Sequence, residues 1–412
     1  MRIALVSEHA DPTAAVGGAD AGGQNVHVAA LAGALAARGH LVTVYTRLAS
    51  PDAEREVGLA AGARVRRLPA GPAAALAKDD LLPHMAEFGD QLGRDWRGRP
   101  PDVVHAHFWM SGLASLRGAA GLGIPVLQTY HALGSVKARY QGANDTSPPS
   151  RIAAERDIGQ RCAQIIATCR DEVLELTRLG VPPDTVSVVP CGVDTACFRP
   201  DGPAASRGSR RRLLVLGRMV PRKGIDTAIE AVAQLPGTEL VVAGGPDRAE
   251  LPGDPEYQRL CGIAADHSVA DRVIFTGAVP RPAAPALVRS ADLVLSTPWY
   301  EPFGITPLEA MACGVPVVAS SVGGLTDSVV HGSTGLLVPP RDAGAAAAAA
   351  GTLLADAGLR AAFGRAGVRR ARRWYAWPRV AAQTEHVYAS LGAADPADGG
   401  SMADGSLAVG TP

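Results

Sequence analysis

Two carboxylates eight positions apart, Glu301 and Glu309, are the residues of this sequence best placed to do chemistry. Phe303, Gly304 and Ile305 lie between them. We expect this stretch to join a strand to a helix, which leaves backbone N–H groups unpaired at the helix start. Such a helix end carries partial positive charge and binds anionic or polyhydroxylated ligands. The spacing therefore indicates a ligand site, with one carboxylate before the helix and the other on its first turn.

The flanking residues predict that junction. The apolar run 292–296 is typical of a buried parallel strand. Thr306 offers an N-cap hydroxyl, and Pro307 suits the first helical position. A purely structural role stays open for Glu309, because Thr306-x-x-Glu309 is also a capping box. Glu301 lies in the preceding loop, where a buried carboxylate needs a partner.

A glycine-rich loop follows the first predicted strand. Gly17, Gly18, Gly22 and Gly23 precede a helix that we predict over residues 24–38. Paired glycines let the backbone approach a ligand closely, and the helix start favours a phosphate. The spacing differs from the G-x-G-x-x-G pattern, so we predict no nicotinamide cofactor.

Histidines follow two further predicted strands. His105 and His107 lie at period two and therefore share one face of a strand. A zinc site needs a third ligand that the sequence does not place, so we expect one of them to be packed and the other to line a polar cleft. His131 lies just past the strand predicted over residues 126–127, and ligands bind at that end of a parallel strand. A lone histidine is often structural, so its role depends on the other motifs.

Two cations, Arg218 and Lys223, lie between a strand predicted over residues 213–216 and a helix. The planar fork of arginine and the mobile charge of lysine suit a diphosphate leaving group. Solvated surface charge is the alternative, which we accept for Arg222. We also expect the arginines of the Pro/Gly/Ser-rich run 200–212 to face solvent.

Length and composition limit the class of protein. A chain of 412 residues suggests two domains. With 40 basic and 40 acidic residues, we expect no broad nucleic-acid surface. No apolar run is long enough to span a membrane, and residues 1–7 are typical of a core strand rather than a signal peptide. The six cysteines form no C-x-x-C pair, which favours a reducing cytoplasm and argues against zinc.

Strand and helix patterns alternate along the chain, which predicts α/β domains with parallel sheets. We place the domain boundaries by this alternation and by the composition of the connecting segments. The segments are a first domain over 1–197, a linker over 198–212, a second domain over 213–375, a helix over 376–392 and a disordered tail over 393–412.

The order of these motifs resembles that of the retaining glycosyltransferases of family 4. The glycine loop comes first, then His131, then Arg218 with Lys223, then Glu301 with Glu309. The resemblance extends over nearly the whole chain before the tail. It implies the GT-B fold, in which two Rossmann-like domains face each other across a cleft and a C-terminal helix crosses back to the first domain. The first domain would then bind the acceptor and the second the nucleotide sugar.

The resemblance also implies a reaction. Family members use nucleotide sugars, often UDP-activated, and retain the anomeric configuration. For this chain the resemblance implies that a hexosyl or N-acetylhexosaminyl group is transferred to a small polar acceptor, whether or not that acceptor is phosphorylated. We expect no metal and no cofactor besides the nucleotide sugar. The residues implied in catalysis are His131, Arg218, Lys223 and Glu301. Those implied in donor binding are Gly22, Gly23, Phe303, Gly304, Ile305, Thr306 and Glu309.

The acceptor site departs from the family pattern. The motifs are most similar to those of the D-inositol-3-phosphate glycosyltransferases and the sucrose-phosphate synthases. The inositol-phosphate enzymes hold the acceptor phosphate with Lys, Tyr, Thr and Arg, and the matching residues here are Lys78, Phe108, Ala132 and Arg151. Each missing hydroxyl removes a hydrogen bond worth roughly 0.5–1.5 kcal/mol. A related acceptor therefore stays open beside inositol phosphate.

Other functions stay open at this point. An NDP-sugar epimerase on the same architecture would consume the donor without an acceptor. A catalytically silent partner protein would only bind the nucleotide sugar. A lipid acceptor at a membrane surface would favour a basic amphipathic helix, and the sequence shows no convincing one. Whether the protein forms a homodimer also stays open.

Overall fold

The computed structural model describes residues 1–14 and 22–392. Within this part, the chain forms two α/β domains built on mainly parallel sheets, so the predicted GT-B fold is confirmed. Gly17, Gly18 and the tail predicted over 393–412 lie outside the described residues.

The first domain contains a sheet that has eight strands in the described residues. In chain order they are β1 Arg2–Val6, β2 Leu41–Arg47, β3 Glu56–Ala60, β4 Ala63–Leu68, β5 Val103–His107, β6 Val126–Thr129, β7 Gln164–Ala167 and β8 Val186–Val188. Its helices are α1 Gly23–Ala36, α2 Met85–Gly98, α3 Trp109–Ala119, α4 Gly134–Gln141, α5 Arg151–Arg161 and α6 Arg170–Arg178. The sheet order is β3-β4-β2-β1-β5-β6-β7-β8, and β3 pairs antiparallel with β4 at one edge.

The second domain contains six parallel strands among the described residues, in the order β11-β10-β9-β12-β13-β14. In chain order they are β9 Arg211–Leu216, β10 Thr238–Ala243, β11 Val273–Gly277, β12 Leu293–Ser296, β13 Val317–Ser320 and β14 Gly335–Val338. The helices are α7 Ile225–Ala233, α8 Pro255–Asp266, α9 Ala284–Arg289, α10 Ile305–Ala312, α11 Leu325–Ser328, α12 Ala343–Ala355, α13 Ala357–Arg370 and α14 Trp377–Gly392.

Strand β1 shows why the sheet of the first domain is covered on both faces. Ile3 and Leu5 pack into one apolar core with α1 and α14, whereas Ala4 and Val6 pack into another with α2 and α3. Alternate side chains of a strand point to opposite faces, so this nearly continuous apolar run requires cover on both sides. The strand is thereby held between the two cores.

Helix α14 returns to the first domain, as predicted. Trp377 and Tyr388 are buried in the core beside α1. The hydroxyl of Tyr388 lies 2.7 Å from Nδ1 of His105. A short bridge between Val193 and Ala376 brings the end of the first domain against the start of this helix.

The arginines of the run 200–212 do not all face solvent. Arg212 is buried and pairs with Glu239 at 2.7 Å, so that expectation is wrong for this residue. Arg207 and Arg211 bind Asp292 at 2.6 and 3.0 Å. Strand β9 begins at Arg211, so these side chains lie against the second domain rather than along a free linker.

Candidate active site

The predicted donor-binding residues of the two domains face each other across the cleft. A Cβ atom placed on Gly22 would lie 3.9 Å from Nε of Arg218. One placed on Gly23 would lie 3.4 Å from Cδ1 of Ile305 and 3.9 Å from Cδ2 of Phe303. The start of α1 therefore lies close to the Glu301–Glu309 stretch, at a distance that leaves space for a Cβ atom.

Lys223 and Glu301 form an ion pair at the ends of neighbouring parallel strands. Lys223 follows β9 and Glu301 follows β12, which pair side by side where the strand order of the sheet reverses. Ligands bind at such points in open α/β sheets. Burial by itself raises the pKa of Glu301, but the charges of Lys223 and Arg222 bring that pKa below its ordinary value. The Glu301 carboxylate is therefore held ionised inside the cleft.

Glu309 has a partner that the sequence did not suggest. Arg281, which follows β11, forms an ion pair with its carboxylate, and the Arg281 guanidinium lies 4.7 Å from the ring centre of Phe198. Glu309 is buried, and that burial raises its pKa above the ordinary value although Arg281 opposes the shift. The only sequence signal for Arg281 was its place after a strand.

The capping interpretation of Thr306 and Glu309 is wrong. Helix α10 begins at Ile305 after Gly304, whose φ of 74° is left-handed, and no side chain caps it. The hydroxyl of Thr306 donates instead to the carbonyl of Leu216 at the end of β9, at 3.0 Å. A Cβ on Gly304 would lie 2.8 Å from Cδ2 of Leu325, so both φ and space require glycine here.

His131 lies at the cleft in a conformation that is uncommon for a side chain other than glycine. Its φ is 62°, and its ring centre lies 5.0 Å from that of Phe303 in the second domain. Nδ1 of His107 and Nε2 of His131 are 2.9 Å apart. Burial and the neighbouring histidines hold the pKa of His131 well below its ordinary value, so the ring is neutral. Strained backbone of this kind clusters at functional sites.

The expectation for His105 and His107 was half right. His105 is packed between Tyr388 and Thr129, but His107 is also fully buried and does not line an open cleft. Both side chains come from β5, whose residues are all buried. Across the residues that the structure describes, no group of three His, Cys, Asp or Glu side chains could hold a metal ion.

The four residues matched to an acceptor site come together around one aromatic ring. Phe108 follows β5 with φ of 80°, and its ring centre lies 5.1 Å from Nζ of Lys78 and 5.1 Å from Cζ of Arg151. Arg151 is 2% exposed; it pairs with Glu155 at 2.8 Å and donates to the carbonyl of Ala132 at 2.5 Å. The site therefore combines two cations with an apolar ring.

The comparison with known proteins defines the class. Residues 21–196 match the family described as Glycosyltransferase Family 4, and residues 202–370 match the family described as Glycosyl transferases group 1. The chain belongs to these glycosyltransferases, and it is an enzyme that transfers a sugar from a nucleotide sugar. In the described part of the chain, no helix is long and apolar enough to cross a membrane.

Relatives of known name cover almost the whole chain. The D-inositol 3-phosphate glycosyltransferase of Acidothermus cellulolyticus is 38% identical over 396 residues, which cover 91% of this chain and 87% of that protein. The enzyme of the same name from Xylanimonas cellulosilytica is 37% identical over 407 residues, which cover 94% of this chain and 96% of that protein. The solved structure of sucrose-phosphate synthase from Thermosynechococcus elongatus matches with a TM-score of 0.87 at 32% identity, over 96% of this chain and 100% of that one.

Proposed function

We propose that this enzyme moves a hexosyl or N-acetylhexosaminyl group from an NDP-sugar, with UDP favoured, to a hydroxyl of a small polar acceptor, and that it retains the anomeric configuration. The observation that carries the proposal is the pairing of Lys223 with Glu301 after the adjacent strands β9 and β12, where the strand order of the sheet reverses. The start of α1 at Gly22 and Gly23 lies close to Arg218 and Ile305 of the second domain, and a helix start of this kind favours a phosphate, which supports the proposal.

In the proposed mechanism the acceptor attacks the sugar on the face from which the diphosphate leaves. Arg218 and Lys223 stabilise the charge that grows on the leaving diphosphate. Glu301 orients the sugar and Glu309 binds the ribose hydroxyls. His131 contacts the donor sugar beside Phe303. The bond from the anomeric carbon to the diphosphate breaks, the bond to the acceptor oxygen forms, and the acceptor proton passes to the leaving phosphate oxygen.

For the acceptor we propose a phosphorylated polyol or a close analogue of one. The curated relatives are named for D-inositol 3-phosphate, and the structural relative for sucrose phosphate. Lys78 and Arg151 supply positive charge around Phe108. Phe108 and Ala132 supply no side-chain hydroxyl, so the acceptor differs from inositol phosphate in the groups it presents there. We also propose a cytoplasmic location, because all six cysteines are free thiols.

The first experiment is thermal unfolding of the wild-type protein with UDP, GDP, ADP and dTDP. A nucleotide at a hundred times its Kd adds about 2.7 kcal/mol of stability, which raises the melting temperature measurably. We expect UDP to give the largest shift. No shift with any nucleotide would contradict the proposed donor site.

The second experiment follows products by mass spectrometry and NMR. UDP-glucose and UDP-N-acetylglucosamine are each incubated with inositol phosphates, fructose 6-phosphate and the unphosphorylated polyols. An α-linked product supports the proposal, whereas a β-linked product contradicts retention. An isomerised donor without any acceptor would identify an epimerase instead.

A further inference from the structure

Arg47 is a buried arginine to which the proposed mechanism gives no role. It ends β2 and is 4% exposed. Its Nη1 donates to the carbonyl of Pro72 at 2.6 Å, and its Nη2 donates to that of Ala74 at 2.5 Å. Nη1 also lies 3.3 and 3.4 Å from the carbonyls of Leu48 and Ala70. Among the described residues, no carboxylate forms an ion pair with this guanidinium, so its partners are backbone carbonyls.

Most of these carbonyls belong to one irregular segment, residues 69–77. The segment joins the end of β4 at Leu68 to a 3₁₀ helix that begins at Lys78. Its sequence is Pro-Ala-Gly-Pro-Ala-Ala-Ala-Leu-Ala, so it has no polar side chain with which to fix its own path. Strands β2 and β4 are adjacent and parallel, and Arg47 is in register with Leu68. Arg47 therefore holds the segment just after it leaves the sheet.

Lys78, which directly follows this segment, is one of the two cations beside the Phe108 ring. Its Nζ lies 5.1 Å from the centre of that ring. The next residue, Asp79, accepts a hydrogen bond from the hydroxyl of Thr146 at 2.6 Å, which ties the 3₁₀ helix to the loop before α5. The chain around Lys78 is therefore held by Arg47 before it and by Thr146 after it.

Stability alone explains Arg47 poorly. Pro72 and Ala74 are exposed residues, so water can satisfy their carbonyls without an arginine. A buried cation without a carboxylate partner carries a cost of desolvation, and burial lowers the pKa of Arg47 accordingly. The carboxylate of Glu87 accepts a hydrogen bond from the N–H of Gly71 at 2.8 Å, which fixes only the start of the segment. The guanidinium adds a fixed path for the rest of it.

We propose that Arg47 is a positioning residue that sets the affinity of the enzyme for the anionic group of its acceptor. It acts through Lys78, because the segment that Arg47 holds determines where the Lys78 ammonium lies relative to Phe108. A segment that is ordered before the acceptor arrives does not have to be ordered on binding, so less binding free energy is lost. The inference rests on the proposed transfer function.

Two substitutions test this role. Arg47→Met removes the charge and the donors but keeps an unbranched side chain, whereas Arg47→Lys keeps the charge and loses the planar fork. With the best phosphorylated polyol of the product screen, we expect Arg47→Met to raise the acceptor KM about three- to tenfold and Arg47→Lys to raise it less. The KM for the same polyol without phosphate and the UDP-induced thermal shift should stay as in wild type. Hydrogen exchange over residues 69–78 should be faster in Arg47→Met.

Lys78→Met distinguishes positioning from a general loss of packing. In this background, adding Arg47→Met should not raise the KM for the phosphorylated polyol further, because Arg47 acts through Lys78. Additive effects, or an equal rise in KM for both polyols, indicate a structural role and would overturn the inference. If Arg47→Met does not fold, the same comparisons are made with Arg47→Lys, and an unchanged KM for the phosphorylated polyol overturns it. Wild-type protein that transfers to no acceptor would instead contradict the proposed function.

Discussion

The ammonium of Lys223 and the carboxylate of Glu301 meet at the ends of two adjacent parallel strands, 78 positions apart in the sequence. Burial lowers the pKa of Lys223, although Glu301 opposes that shift. Each charge therefore keeps the other ionised in the cleft. Such a pair holds the lysine in place before a diphosphate arrives and costs no reorganisation when the charge on the leaving group develops.

Lys223→Ala should remove much of the stabilisation of the leaving diphosphate. We expect kcat to fall roughly 10²- to 10³-fold, the loss typical for one preorganised charge-stabilising donor. Arg210→Ala is the control, because Arg210 is an exposed cation that pairs with Asp271 at 2.8 Å. Steady-state kinetics and thermal melts of both variants check the prediction. Activity that survives nearly intact in Lys223→Ala would refute the role.

The two carboxylates should respond oppositely to neutralisation, because their pKa values shift in opposite directions. Glu301 has a lowered pKa, so its ionised form stabilises the fold above the unfolded value of about 4.3, and that stabilisation is lost as pH falls through the folded value. Glu309 has a raised pKa, so its ionisation opposes folding once pH rises through the raised value.

At pH 7, Glu301→Gln should therefore lower the melting temperature, and Glu309→Gln should leave it unchanged or raise it. The difference between Glu309→Gln and wild type should shrink as the pH is lowered through the raised pKa of Glu309, whereas the difference for Glu301→Gln should persist until the pH falls below about 4.3. Glu309→Gln should also weaken UDP binding. Thermal melts between pH 4 and 8 check the signs, and a destabilised Glu309→Gln protein at pH 7 would contradict them.

Turnover should not require a divalent metal. We propose that the positive charges of Arg218 and Lys223 neutralise the diphosphate in place of a metal. We expect the initial rate to be the same after treatment with EDTA and after addition of Mg²⁺. A loss of activity in EDTA that Mg²⁺ restores would show that the two cations are insufficient.

Phe108 and Ala132 should limit the use of inositol phosphate. The double substitution Phe108→Tyr with Ala132→Thr adds two hydroxyls near Lys78 and Arg151. Each new hydrogen bond is worth roughly 0.5–1.5 kcal/mol, so we expect kcat/KM for D-inositol 3-phosphate to rise about two- to tenfold per hydroxyl. The KM for the donor serves as an internal control. An unchanged or lower preference for inositol phosphate would show that other residues choose the acceptor.

Local sequence patterns determined the architecture and the position of the donor motifs. Apolar runs such as those within Thr238–Ala243 and Leu293–Ser296 form buried parallel strands because both faces of each sheet are covered. Polar residues directly after these runs are carried to the cleft, since parallel strands end at one edge of the sheet. The place of His131 after β6 could therefore be predicted from the chain alone.

The tertiary structure decided which side chains are partners. Glu309 pairs with Arg281, and the hydroxyl of Thr306 binds Leu216 rather than its own helix. Glu8 and Ser111 meet across 103 positions of sequence. Strand order and helix packing bring such residues together. The side-chain periods of a strand (two residues) and of a helix (3.6 residues) carry no information about contacts between residues so far apart in the sequence. The sequence by itself determined where polar groups leave each strand, whereas only the packing of the strands decided which of those groups touch.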